Sequence, residues 1–193
     1  MMRRLVGSEM CIRDRSLGGF RRQFFQKENI MLGKFSREFL LNVPSDLKTK
    51  NNPSPTVSMV PNGYLLLFGP EHAQEQYLAL ENHKACEAGT KNIKGSELKQ
   101  VFPYISEEGI ETATYSDTKI EGWIDPYLFH NALKNKAIEL GAEFTKGDVK
   151  SLKEIKANAI VSAAGCWTNE LLNDIPVFPQ KHTVFRFKCP KHI

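Results

Sequence analysis

The stretch Ala159-Ile160-Val161-Ser162-Ala163-Ala164-Gly165-Cys166-Trp167 holds the clearest chemical opportunity in the chain. Ile160 and Val161 suit a buried strand, and Ala163 to Gly165 then strip the backbone of bulk. Thr168 is placed to cap a following helix with Glu170 in its first turn. A strand that runs through small residues into a helix start lets backbone N–H groups meet an anion such as a pyrophosphate. Gly165 suits that use, because a Cβ would obstruct the ligand or the turn. A tight strand–helix junction without a ligand fits the same residues. His83 and Cys86 have the i, i+3 spacing that lets two side chains share a metal ion. No second ligand pair lies nearby in the sequence, which points to structural roles and no metal site.

Composition sets the outer bounds. The 193 residues suffice for one domain with a real core or for parts of two. Apolar content of 41% with 25% charged residues is ordinary for a globular chain. The net charge of +4 is scattered among acids, which argues against nucleic acid as a main partner. No apolar run is long enough to span a bilayer. Cys11, Cys86, Cys166 and Cys189 are far apart, so reduced thiols are the default.

Several elements must position the small-residue stretch. Met1 to Arg15 mixes Arg3, Arg4, Arg13 and Arg15 with Glu9 and Asp14 and shows no period; it resembles a leader translated from adapter sequence. Ser16 to Phe24 follows as a loop kept open by Gly18 and Gly19. Met31, Phe35 and Phe39 recur every four residues and predict a short helix with that face buried. Pro44 and Asn51-Asn52-Pro53-Ser54-Pro55 predict a break into a surface loop. Asn62-Gly63 is a turn before a strand from Tyr64 to Phe68.

Gly69-Pro70-Glu71 then starts a helix with Ala73, Tyr77, Leu80 and Ala88 inward and Gly89 as its stop. Ser96-Glu97-Leu98 reads as a shorter helix ending before Pro103, and Ala113-Thr114-Tyr115 as a strand. Asp125 and Pro126 make a strong helix start, with Phe129, Ala132, Leu133, Ala137 and Leu140 on one face and Gly141 as the stop. Glu143-Phe144-Thr145 and Val149 to Leu152 read as short strands around Gly147-Asp148. Strand, helix, strand, ending in Ile160-Val161, predicts a βαβ layer with a parallel sheet. Phe185 to Lys188 alternate as a half-exposed strand.

Four stretches together resemble the D-amino-acid oxidase/sarcosine oxidase-like family of FAD-dependent oxidoreductases. They are Ser16-Leu17-Gly18-Gly19-Phe20-Arg21-Arg22-Gln23-Phe24, Asn62-Gly63-Tyr64-Leu65-Leu66-Leu67, Glu121-Gly122-Trp123-Ile124-Asp125-Pro126, and Ile160 to Trp167. The resemblance implies a mixed α/β (α+β) chain in which part of a Rossmann-like FAD domain is interwoven with part of an antiparallel substrate domain. It divides the chain into a foreign leader (1–15), a flavin-domain loop and helix (16–42), a substrate-domain portion (43–122), a second flavin-domain portion (123–175) and the start of another substrate-domain portion (176–193).

The same resemblance implies that Ser16, Gly18 and Gly19 approach the flavin ring and pyrophosphate. It implies further that the Val149 backbone faces the adenine and that Ala163, Ala164 and Gly165 form the turn beneath the pyrophosphate. Tyr64 to Phe68 and Thr183 to Lys188 would belong to the substrate-domain sheet. No GxGxxG occurs in the sequence, so the chain reads as an internal piece that would not retain FAD alone.

The implied reaction oxidises a small amine or amino acid by hydride transfer to flavin, so no Ser/His/Asp set is needed. Arg21 and Arg22 are placed to grip a substrate carboxylate, or equally to be solvated or bound to backbone carbonyls. Trp123 and Trp167 are expected as core aromatics bridging the two domains. A mitochondrial location and partners in respiratory complex I assembly follow from the resemblance alone. A flavin-bound assembly factor without turnover, or a small domain without flavin, are the competing readings.

Overall fold

Leu65–Phe68 (β2), Thr90–Lys94 (β3) and Thr112–Ser116 (β4) form an antiparallel sheet in the order β2-β4-β3. The computed structural model describes residues 17–117, 119–145, 147, 149–172, 174–178, 180, 183 and 185. In β4 the side chains of Thr112, Ala113 and Thr114 are fully buried, as the middle strand requires. Leu66 pairs with Thr114, and Asn92 pairs with the same residue from the other side. Helix α2 (Pro70–Ala85) starts with Gly69 as N-cap and Pro70 at its first position, where a missing N–H costs little. It packs on β2 and β3 and turns Ala73, Gln76, Ala79 and His83 inward.

Helix α1 (Lys27–Asp46) is longer than its sequence pattern predicts, and its inward stripe differs. Ile30, Leu40, Val43 and then Leu47 are buried, whereas Met31 is 52% and Phe35 66% exposed. Leu40, Val43 and Leu47 of this stripe meet Phe20, Val57, Ile124 and Ala132 in one apolar core, with Phe39, Met59 and Phe129 packed against it. Phe39 and Phe129 meet edge to face at 6.2 Å. Pro44 does not break this helix but sits in its last turn, where only one intrahelical bond is forgone.

Gly19–Phe20 (β1) pairs antiparallel with Gly122–Trp123 (β5), Gly19 opposite Trp123. A short turn of 3-10 helix, Gly95–Glu97, leads into α3 (Leu98–Val101). Asp125 then caps α4 (Pro126–Glu139) by accepting from Tyr127 N at 2.9 Å and Leu128 N at 3.1 Å. The helix closes as predicted at Gly141, whose N–H reaches Ile138 O while Ala142 N–H reaches Ala137 O. Inward burial on α4 is narrower than predicted: Ala132 is buried, but Leu140 is 75% exposed. Likewise α2 ends at Ala85, before Gly89, and Tyr77 is 40% exposed.

The described residues fall into two compact units, one within 17–142, just described, and one from Glu143 onward. Among the described residues of the second unit the expected strands do not form. Ile160 and Val161 are irregular, and Val161 is 87% exposed. Glu143 to Thr145 are irregular and exposed, and Leu152–Glu154 is a 3-10 turn, not a strand end. The predicted parallel βαβ layer is absent among the described residues, where every ladder is antiparallel. Strand propensity alone cannot hold a strand; its N–H and C=O groups need a neighbouring backbone, and no ladder among the described residues includes Ile160 or Val161. Of the predicted strand Phe185 to Lys188, only Phe185 lies within the described residues, and it is irregular. No helix among them is long and apolar enough to cross a membrane.

Candidate functional site

The β1–β5 ladder sets the loop around Gly18 and Gly19. Ile124 N–H donates to Gly18 O at 2.9 Å, and Gly18 takes a left-handed φ of +63°. A Cβ on Gly18 would overlap the Ile124 carbonyl oxygen, and one on Gly19 would strike the Tyr64 hydroxyl. Both glycines are therefore required by the protein's own close approach. That approach opens a cavity of about 760 Å³. Gly18, Gly19, Arg21, Phe24 and Tyr64 form one wall; Leu32, Phe35 and Phe39 of α1 and Phe129 of α4 form another. The space lies within the range of small-molecule sites and combines an apolar lining with few polar groups.

The two candidate arginines part company. Arg21 lines the cavity with its guanidinium 4.8 Å from the centre of the Phe24 ring, a cation–π contact. Arg22 is not part of the wall. Its Nε is buried without a partner, and burial, with Arg37 adding repulsion, lowers its pKa. Tyr64 has its phenol pKa raised, chiefly by burial; the nearby Arg21 charge acts the other way and Glu121 adds to the rise.

Glu121, not singled out in the sequence as a site residue, is bonded to the backbone just after Arg21 and has no exposed surface. One carboxylate oxygen accepts from Arg22 N (2.5 Å) and Gln23 N (3.1 Å). The other accepts from Gln23 Nε2 (2.7 Å) and Ser116 Oγ (2.5 Å). Its partners stand up to 99 residues away, so no local pattern could have shown it. Tyr64 was legible as a strand start and nothing more.

The remaining candidates lie elsewhere. Ser16 falls outside the described residues. Val149 is half-buried in irregular chain. Ala163, Ala164 and Gly165 lead into a six-residue 3-10 helix, Gly165–Glu170, with Ala164 as its N-cap. Thr168 sits inside that turn and donates its hydroxyl to Gly165 O at 2.8 Å instead of capping a later helix. Gly165 has φ +58° and open space where a Cβ would point. The Gly18–Tyr64 cavity thus has the mostly apolar lining and the size of a small-molecule site. Ala163 to Gly165 lack the strand and long helix that would aim N–H groups at a pyrophosphate.

Trp123 and Trp167 are not core aromatics; 43% and 40% of their surfaces are exposed, Trp123 because β5 is half of a two-stranded ribbon. His83 Nε2 lies 2.8 Å from Phe24 O, which ties α2 to the same loop. Cys86 is a half-buried free thiol, as is Cys166. Among the described residues no three His, Cys, Asp or Glu side chains gather as metal ligands.

The family described as DAO, FAD dependent oxidoreductase, matches residues 13–193. FAD-dependent oxidoreductase domain-containing protein 1 of Xenopus laevis is 25% identical over 223 residues, covering 91% of this chain and 44% of that protein. The Bos taurus protein of the same name is 25% identical over 224 residues, covering 91% of this chain and 46% of its own. This chain thus spans less than half the length of these relatives. Among solved structures, glycine oxidase from Geobacillus kaustophilus superposes with a TM-score of 0.61 at 18% identity, covering 82% of this chain and 46% of that one. L-proline dehydrogenase from P. horikoshii gives 0.56 at 24% identity, covering 78% and 42%. These likenesses establish the fold as mixed α/β, a partial Rossmann-like FAD domain interwoven with part of an antiparallel substrate domain. The chain belongs to the DAO family of FAD-dependent oxidoreductases.

Proposed function

We propose that this chain is part of an enzyme that oxidises a small amine or amino acid at the carbon next to nitrogen. The observation that carries the reading is the cavity in which Gly18, Gly19, Arg21 and Tyr64 converge. FAD, when bound, takes up the hydride; the residues of this chain bind and orient. Gly18 and Gly19 would present bare backbone to the bound group. Arg21 is the group for a substrate carboxylate, since a guanidinium grips one through two parallel hydrogen bonds. Phe39 and Phe129, which meet edge to face, form the apolar side of the cavity.

The similar solved proteins are named for glycine and L-proline, both of which carry an amine beside a carboxylate. The test is anaerobic mixing of the full-length, FAD-loaded protein with sarcosine, dimethylglycine, glycine, L-proline and D-amino acids. Loss of the oxidised-flavin absorbance with one of them supports the reading, and Arg21→Ala then weakens that substrate by about 10- to 100-fold. No bleaching by any of them sinks it. The second reading, a flavin-bound assembly factor in the mitochondrion with respiratory complex I assembly partners, would then gain. It draws on the family resemblance and on the exposed Trp123 and Tyr127 beside the cavity's Ile124 and Pro126.

A further inference from the structure

We infer that Glu121 is the positioning residue of the cavity, its buried carboxylate holding the Arg22–Gln23 backbone to β4 so that Arg21 and Tyr64 face the same space. The inference rests on the reading of that cavity as the binding site. Four bonds carry it, and all four donors are neutral groups: two backbone N–H groups, one amide and one hydroxyl. The N–H groups of Arg22 and Gln23 are consecutive, and such a pair makes a concavity for an anion. Here the protein fills that concavity with its own carboxylate.

The links run further than the carboxylate. Gln23 Nε2 donates to Tyr64 O (3.1 Å) as well as to Glu121, while Gln23 Oε1 is buried without a partner. The amide orientation is thus dictated by its two acceptors. Glu121 O accepts from Gly63 N at 2.9 Å, next to Tyr64. One residue therefore ties the loop that carries Arg21, the end of β4 at Ser116, and the stretch that presents Tyr64. A charge buried among neutral donors is an expensive way to fill space, which favours a fixed geometry as its use.

Three variants of the full-length protein separate this from simple core filling. Glu121→Ala leaves the two N–H groups without an acceptor. Glu121→Gln keeps that acceptor through its amide oxygen, and its NH₂ can donate to Ser116 Oγ, whose hydroxyl turns to accept. Glu121→Asp keeps the charge but is too short to reach both sides. Hydrogen exchange at the Arg22 and Gln23 amides is expected to rise about tenfold or more in Glu121→Ala, with β3 and β4 protection unchanged. The dissociation constant for FAD rises about tenfold in Glu121→Ala and returns to within about threefold of the parent in Glu121→Gln. Exchange that rises equally across β4 and α2, or stays unchanged at Arg22 and Gln23, overturns the inference. If Glu121→Ala does not fold, Glu121→Asp is read in its place by the same two measurements. The exchange result is independent of turnover, so a protein that oxidises no amine yet shows it would sink the proposed reaction and keep the positioning role.

Discussion

Gly18-Gly19 and Ala163-Ala164-Gly165 look alike in the sequence, since each pares the backbone down beside an apolar run. The structure treats them differently. Gly18 is held by a ladder partner 106 positions on, Ile124, and a Cβ there would collide with that partner's carbonyl. Gly165 shares the left-handed φ, yet has open space where its Cβ would go and no strand before it. A small-residue motif becomes a site only when distant chain presses against it. Steric need at Gly18 and mere tolerance at Gly165 are the two ends of that scale.

Substitution at the two glycines is the strongest way to break the comparison. Gly18→Ala meets both the left-handed penalty and an overlap with backbone, so a loss of about 2–5 kcal/mol is expected in urea denaturation. Gly165→Ala meets the first alone, about 1–2 kcal/mol. Equal losses would show that the second stretch is clamped as firmly as the first. A matched pair of valines sharpens the point. Val43 is fully buried and Val161 is 87% exposed, so alanine at the first costs about 2 kcal/mol and at the second less than about 0.5. A large effect at Val161 would restore the buried strand that the sequence predicted. Next in size, Asp125→Ala removes two capping bonds from α4 and costs about 1 kcal/mol, read as a lower Tm.

What was legible in the sequence was local. Asp125-Pro126 and Gly69-Pro70 announce two helix starts because cap chemistry is written within three or four residues. Gly141 is legible for the same reason. The stripe of α1 was not: Met31, Phe35 and Phe39 have perfect helical spacing, but which stripe turns inward depends on Phe20, Val57 and Ile124, which lie elsewhere in the chain. The strand at Ile160-Val161 was misread because β-branched residues report a preference, and only a neighbouring strand can realise it. In the site, the glycines and Arg21 were legible by type. Glu121 was not, because an acid before Gly122 has no distinguishing mark until Gln23 and Ser116 close around it.

Glu139 marks where the clamped backbone ends, two residues before Gly141, and offers the smallest but most local test. Its Oε2 accepts from Lys50 N at 2.7 Å and its Oε1 from Lys136 Nζ at 3.4 Å, while Lys136 Nζ also donates to Lys48 O at 2.9 Å. The Lys50 N–H first, and the Lys136 ammonium after it, hold the Glu139 carboxyl below the usual carboxylate range. A carboxyl whose folded pKa is depressed contributes stability that is fully present above its unfolded value. That contribution drains away as pH falls through the folded value. The Tm of the parent should therefore exceed that of Glu139→Gln near neutral pH, and the gap should close with acid below about pH 4, the region of an ordinary glutamate. A gap that does not change with pH would mean that Lys50 and Glu139 do not meet in solution. The long-range hold on the chain would then stop before the end of α4, and the boundary between its two regimes would move toward the cavity.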